Sequence, residues 1–165
     1  MKKIPLSKKG KHKGKYFALV DNEDFEYLNQ FNWCIQKRYN GYFARSKLGG
    51  LYGLSKTISM HRFLTQCLPN KVIDHINHNT LDNTRKNLRI CYQSENIKNQ
   101  KLNSKNTSGF KGVWWRKDYK KWVSEITVDG KKIHLGYFKD KFLAAQAYNS
   151  GAIKHHKEFA LLNNL

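Results

Sequence analysis

Acidic side chains are scarce. The 165 residues carry 12 Asp and Glu against 31 Lys and Arg, a formal net charge of +19. A surplus of that size points to a polyanionic partner, nucleic acid first and an anionic membrane surface second. Long apolar runs are absent, so no membrane span is expected, and no signal-peptide pattern is found. Cysteine is sparse as well. Cys34, Cys67 and Cys91 are scattered, odd in number and never spaced Cys-x-x-Cys, which argues against a zinc knuckle. The expectation is a reducing cytoplasm with three ordinary buried or half-buried thiols. No heptad or long apolar helix advertises a dimer interface, so no obligate protein partner is expected. Aromatics, by contrast, are plentiful at 13%, more than a low-complexity basic chain would hold.

Met1 to Lys15 is lysine-rich and reads as a basic arm, either tracking phosphates or frayed in solvent. A small β-rich region follows. Tyr16–Val20 predicts a strand, Asp21–Asp24 a turn or helix start, and Phe25–Phe31 a short helix. Trp33–Gln36 and Tyr42–Arg45 predict paired strands. Gly49, Gly50 and Gly53 mark a turn before a strand at Lys56–Met60, and His61–Leu68 reads as a helix closed by Pro69 and Asn70.

The stretch the chain is organised around is Val72 to Asn99. Val72 and Ile73 lead into Asp74–His75, and an Asn-rich excursion follows. Asn87 to Cys91 predicts a second strand, and a helical pattern begins with Ser94 as its expected N-cap. This gathers a carboxylate, an imidazole and helix amides. An imidazole near neutral pKa can take a proton from water. Asp and Asn offer hard oxygen ligands suited to magnesium or manganese. Asn77, Asn79 and Asn83 have a simpler reading as turn residues bonding their own backbone.

Asp74–His75, Asn87 of NLR, Asn96 of SENIKN, the intervening Asn83 and the preceding MHRFL together resemble the HNH endonuclease family, in its homing branch with a His-Asn-Asn signature. The resemblance implies a ββα-metal unit in which His75 is the general base and Asn87 orients it. Asp74 and Asn96 then hold one Mg2+ or Mn2+ per active site. Many members carry His where this chain has Asn96. An amide oxygen is neutral, which implies weak metal binding. Arg62 and Arg89 flank this cleft in sequence, either to hold DNA phosphates or to serve as structural partners of Asp74 or of the acidic turns.

Gln100 to Ser108 is polar, without periodicity, and reads as a linker. Beyond it Phe110–Arg116, Lys121–Val128 and Ile133–Phe138 alternate as strands. Asp129–Gly130 is a two-residue hairpin signal. Asp140 caps a helix to about His156, with Ala144, Ala147, Tyr148 and Ala152 at helical spacing. The segments SGFKGVWWR, KWVSEI, HLGYF and AAQAYNSGAIKHHKEFALLN resemble the plant Apetala-type, ethylene-response-factor DNA-binding domain. That implies a sheet entering the major groove with Lys111, Trp114, Arg116, Lys121, Thr127, Lys132 and His134 among the DNA-binding positions. Trp122 and Glu125 align as well, and Trp114 and Trp122 have an alternative reading as packing residues. Several arginines of that family are Lys, Trp, Thr or His here, so the plant target does not carry over.

The expected fold is α+β: a basic arm and β-rich region over 1–56, the HNH unit and linker over 57–104, and a three-stranded sheet on one helix over 105–165. The expected function is a metal-dependent endonuclease of the HNH homing type acting on double-stranded DNA, of phage or mobile-intron kind, in a bacterial or infected cell's cytoplasm. One Asp–His constellation without an internal repeat implies strand nicking. Two alternatives stand beside it: a DNA-binding regulator with an inactive nuclease unit, and an RNA binder whose sheet aromatics stack unpaired bases.

Overall fold

A computed structural model describes residues 1–7, 9–39, 41–48 and 56–165. The expected glycine turn at Gly49, Gly50 and Gly53 lies outside the described residues. The chain is α+β and packs as two compact units, Met1–Tyr92 and Gln93–Leu165. Among the described residues no helix is long and apolar enough to cross a membrane.

The first unit opens with a hairpin of β1 (Lys2–Leu6) and β2 (Tyr16–Val20), paired antiparallel with Ile4 opposite Ala18. The basic-arm reading of residues 1–15 is therefore corrected for its first third. Ile4 and Leu6 are two residues apart, so one face of β1 carries both. They are 1% and 0% exposed, and their burial holds the strand against fraying. Lys2 and Lys3 on the outer side of β1, and Lys9, Lys11, Lys13 and Lys15 in the connection, remain in solvent.

Helix α1 (Asn22–Asn29) begins three residues before the expected helix. Strands β3 (Cys34–Arg38), β4 (Gly41–Leu48) and β5 (Lys56–Ser59) form an antiparallel sheet in that order. Helix α2 (Met60–Thr65) follows directly and ends at Gln66 in the left-handed region. Strands β6 (Val72–His75) and β7 (Leu88–Cys91) pair as a separate two-stranded ribbon. Ile4, Leu6, Ala18, Val20, Leu28, Trp33, Ala44 and Met60 make one core, with Phe63, Leu64 and Leu81 packed against it. Residues on both sides of position 57 thus share a single apolar interior. The Trp33 indole donates to Leu28 O at 2.8 Å, which satisfies its buried N–H.

The second unit holds α3 (Gln93–Lys98), the sheet β8 (Val113–Arg116), β9 (Lys121–Val128) and β10 (Lys131–Phe138), and α4 (Lys141–His156). Ser94 lies inside α3 rather than capping it. The sheet order is β10-β9-β8, all antiparallel. Asp129 and Gly130 both take positive φ, 49° and 78°, as a tight hairpin between two right-twisting strands requires. Asp140 caps α4 by accepting from the Phe142 and Leu143 amides at 2.6 and 3.1 Å. Ala144, Ala145, Tyr148 and Ala152 turn inward, and the small side chains let α4 lie close on the sheet. Gly112 permits that approach. With φ at +71°, a Cβ there would stand 2.1 Å from the Tyr148 ring.

The three cysteines are free thiols. Cys91 is buried and Cys67 half-buried, but Cys34 is exposed, against the expectation that all three are covered.

Candidate active site and basic sheet face

Strand β6 delivers Asp74 and His75 as neighbours, and the period of two sends them to opposite faces of the ribbon. Asp74 stands opposite Arg89 in the register, and the Arg89 guanidinium donates to its carboxylate. Their side chains are 6% and 16% exposed, so this is a largely buried, charge-compensated pair. The structural-partner reading of Arg89 is the one its contacts favour.

His75 is 6% exposed and enters a cluster of three rings. His61 lies 5.2 Å away and perpendicular, and Phe43 lies 6.1 Å from His75 and 5.6 Å from His61. Burial pushes the His75 imidazole down to about 4, against the smaller opposing pull of Asp74, Asp82 and Asn83. His61 is pushed down to about 3, by burial first and then by His75, Arg62 and Arg38. Both rings are neutral at physiological pH. Among the described residues neither the buried Nε2 of His75 nor the side-chain amide of Asn83 completes a well-formed hydrogen bond, although Asn83 lies close enough to the ring to favour its protonated form.

The loop after His75 is built by its asparagines. His78 takes φ of 60° and its amide donates back to His75 O at 2.9 Å, which turns the chain sharply. Asn77 Oδ1 accepts from the Asn79 amide at 2.8 Å and Asn79 Oδ1 from the Leu81 amide at 3.2 Å, the self-bonding expected of turn asparagines. Asn87 lies in a 3-10 turn, Arg85–Asn87, just before β7. Its Oδ1 accepts from the Asn77 amide at 2.9 Å and its Nδ2 donates to Asp82 O at 2.8 Å. Both ends of the Asn87 amide are thus engaged with the loop. It makes no hydrogen bond to the imidazole; any orientation it gives His75 comes through the backbone that leaves β6.

Asp82 is the hub that sequence reasoning missed. It is 8% exposed. Its carboxylate accepts from Asn77 Nδ2 at 2.8 Å and from the amide and hydroxyl of Thr84 at 3.2 and 2.8 Å. The only available signal was a lone acid in a loop otherwise bonded through amides. The loop is also laced to β2, with Leu19 N donating to Leu81 O and Asn83 N to Leu19 O, both at 2.8 Å. Arg85 anchors its far end on Asp24 at 2.7 Å, with its own amide on Asp21 at 2.7 Å. Arg62 donates to Lys71 O at 3.0 Å and, more weakly, to Cys67 O, so it fastens the connection from α2 to β6. Asn96 is half-buried on α3, in the second unit.

Cross-strand partners share a face of a sheet. The pairs Trp114–Val123, Arg116–Lys121, His134–Glu125 and Lys132–Thr127 therefore lie together on the face opposite Val113, Ile126 and Ile133 of the core. Six of the seven residues expected to meet DNA on this domain stand on that one outer face: Trp114, Arg116, Lys121, Thr127, Lys132 and His134. A bulge between His134 and Gly136 keeps Tyr137 on the same side, 4.5 Å from His134. Trp114 donates to Glu125 at 3.2 Å. Arg116 bonds Asp118 and the Tyr137 hydroxyl and lies over the Tyr119 ring. Trp122 is half-buried against the inner core beside Phe110 and Phe138, its packing alternative. Lys111 is elsewhere: its ammonium donates to Lys98 O at 2.6 Å and Gln100 O at 2.8 Å.

The chain is similar to a protein of Acanthamoeba polyphaga mimivirus named as an uncharacterized HNH endonuclease, 30% identical over 158 residues that span 91% of this chain and 81% of the relative. It is also 42% identical to Protein 3.8 of Escherichia phage T7 over 60 residues, 36% of this chain and 50% of that protein. No family model and no solved structure matches.

Proposed function

We propose, from the premise that the chain belongs to the HNH endonuclease family, that it hydrolyses phosphodiester bonds in double-stranded DNA as a homing-type, strand-nicking enzyme. The observation that carries this reading is His75: a buried, neutral imidazole with an unbonded Nε2, adjacent in sequence to the charge-compensated Asp74. An imidazole in that state is neutral, and so able to accept a proton, at every pH where DNA is handled.

In the proposed reaction His75 Nε2 takes a proton from water as the water oxygen bonds to phosphorus. The bond from phosphorus to the 3′ oxygen breaks with its electron pair on that oxygen, which takes a proton from a second water, and 3′-hydroxyl and 5′-phosphate ends remain. Asn87 and Asp82 hold the loop that leaves His75 and so fix the imidazole's backbone. The donor chemistry fits a hard cation. Asp74 supplies a carboxylate oxygen, and the family's second ligand position falls on the amide of Asn96. Among the described residues no group of three or more His, Cys, Asp or Glu gathers to hold an ion; Mg2+ and Mn2+ commonly keep several waters beside one or two protein oxygens. When bound, such an ion neutralises charge on the phosphate and the leaving oxygen. The Arg89 guanidinium holds the Asp74 carboxylate in place.

The outer face of the second unit's sheet is proposed to select the site, with Arg116, Lys121 and Lys132 on phosphates and Trp114, Thr127 and His134 toward the groove. The surplus of +19 supplies the long-range attraction. The test is supercoiled plasmid incubated with the protein and Mg2+, beside a reaction in excess chelator. Open circles that accumulate only with metal are expected. Equal cutting in chelator overturns the metal mechanism, and no cutting of any duplex with Mg2+ or Mn2+ overturns the enzyme reading.

A further inference from the structure

Of the seven residues expected to meet DNA in the second unit, Lys111 is the one that stands away from the outer sheet face. Its ammonium instead meets the C-terminal end of α3, donating to Lys98 O and Gln100 O at 2.6 and 2.8 Å. These are carbonyls that no helical N–H satisfies, at the negative end of the helix dipole, where a cation is favoured. The backbone behind this ammonium is itself clamped. Lys111 N donates to Asn163 Oδ1 at 2.7 Å and Asn163 Nδ2 returns to Lys111 O at 3.1 Å. Asn163 in turn is held by α4, through Asn149 Nδ2 to Asn163 O at 2.9 Å and Asn163 N to Asn149 Oδ1 at 2.7 Å.

We infer that Lys111 is a positioning residue which docks α3 onto the Apetala-like unit, so that the helix carrying Asn96 moves with the DNA-reading sheet and not with a free linker. Three observations agree. The relay from α4 through Asn149 and Asn163 to Lys111 is continuous and two-way at each step. Asn99, directly after α3, is 6% exposed. The stretch expected as a linker is bonded into the same unit, with Asn106 and Ser108 both donating to Phe110 O at 3.0 and 2.9 Å. Burial lowers the Lys111 ammonium to about 8, as a lysine spent on carbonyls away from water should show. His156 at the end of α4 is lowered by burial first, and the Lys98 and Lys111 charges add to that. The consequence for activity rests on reading Asn96 as a metal ligand; the docking itself does not.

The test uses the full chain with Lys111→Met and Lys111→Arg. Amide hydrogen exchange, expressed as protection relative to the intrinsic rate, is followed over residues 93–100. Duplex DNA affinity is measured against salt without metal, and the Mg2+ needed for half-maximal nicking is titrated. Expected for Lys111→Met is a loss of α3 protection on the order of ten- to a hundredfold, the factor of a charge-assisted hydrogen bond. The salt dependence of DNA binding stays unchanged and the Mg2+ requirement rises. Lys111→Arg, which can still donate to two carbonyls, restores protection. Unchanged α3 protection together with a salt slope shallower by about 0.9 makes Lys111 a phosphate ligand and overturns the inference. Lost protection with an unchanged Mg2+ requirement keeps the docking and overturns the role of Asn96. If the Met variant does not fold, Lys111→Gln takes its place: lost α3 protection with β9 protection held is expected, and α3 protection equal to that of the wild-type chain overturns the docking.

Discussion

Two histidines buried neutral side by side make the first unit acid-sensitive in a calculable way. His75 and His61 are held at about 4 and 3 in the folded chain, against roughly 6.5 when unfolded. A depressed folded pKa means that the unfolded chain binds the extra protons. The stability these rings contribute is therefore full above pH 6.5 and is lost as the pH falls toward 4. Between pH 7 and pH 5 linkage gives a loss of about 2 kcal/mol for each ring and roughly 3–4 kcal/mol for the pair. Stopping at pH 5 keeps ordinary carboxylates, near pKa ~4, largely ionised in the unfolded chain. The assay is urea unfolding at both pH values, followed at the amide resonances of Ala18 and Ala44, which belong to the core of this unit. His61→Phe, which leaves an aromatic edge in the ring cluster, should remove about half of the pH dependence, and adding His75→Phe should remove nearly all of it. Stability that is flat from pH 7 to 5, or a loss that survives both substitutions, refutes the picture of neutral buried rings.

Other outcomes follow from the same geometry. Asp82→Ala leaves Asn77 and Thr84 without their common acceptor and should destabilise the first unit by about 1–3 kcal/mol in urea unfolding, with exchange rising first at residues 77–84. Arg89→Met removes the cationic partner of the buried Asp74 carboxylate and should cost about 3–5 kcal/mol, whereas Arg62→Met should cost less because it breaks bonds to loop carbonyls. Replacing Arg116 and Lys132 by Gln together should make the salt dependence of duplex binding shallower by about 0.9 for each phosphate that is no longer neutralised; an unchanged slope removes the outer sheet face from the DNA interface. At low enzyme concentration nicked circles should precede linear DNA, and linearisation that rises as the square of enzyme concentration would instead show a dimer cutting both strands.

The C-terminal sheet and helix were legible because each element carries a local signal. Alternation marks the strands, Asp129–Gly130 fixes the hairpin, and Asp140 with inward small residues fixes α4. Strand β1 was not legible in the same way. Its lysines dominate the composition of the first fifteen residues, and Ile4 and Leu6 gain meaning only when β2 and Trp33 supply the core they enter. The candidate site divides along the same line. Residue types and spacing single out Asp74, His75, Asn83 and Asn87, yet they do not say which neighbour each side chain takes. The partner of Asp74 depends on the β6–β7 register, which sets Arg89 opposite it. The two ends of Asn87 depend on how the loop folds over Asp82. Lys111 was expected to face DNA, but Asn163, fifty-two residues away, clamps its backbone and its ammonium meets α3.

The central claim is that His75 takes the proton in phosphodiester hydrolysis. The direct measurement compares the wild-type chain with His75→Ala on one supercoiled duplex, at one Mg2+ concentration, with nicking rate and DNA affinity determined side by side. Removing a general base lowers rate by about 10²–10⁴-fold. A loss of nicking in that range with affinity within about twofold is the result the account predicts; nicking by His75→Ala at the wild-type rate contradicts it.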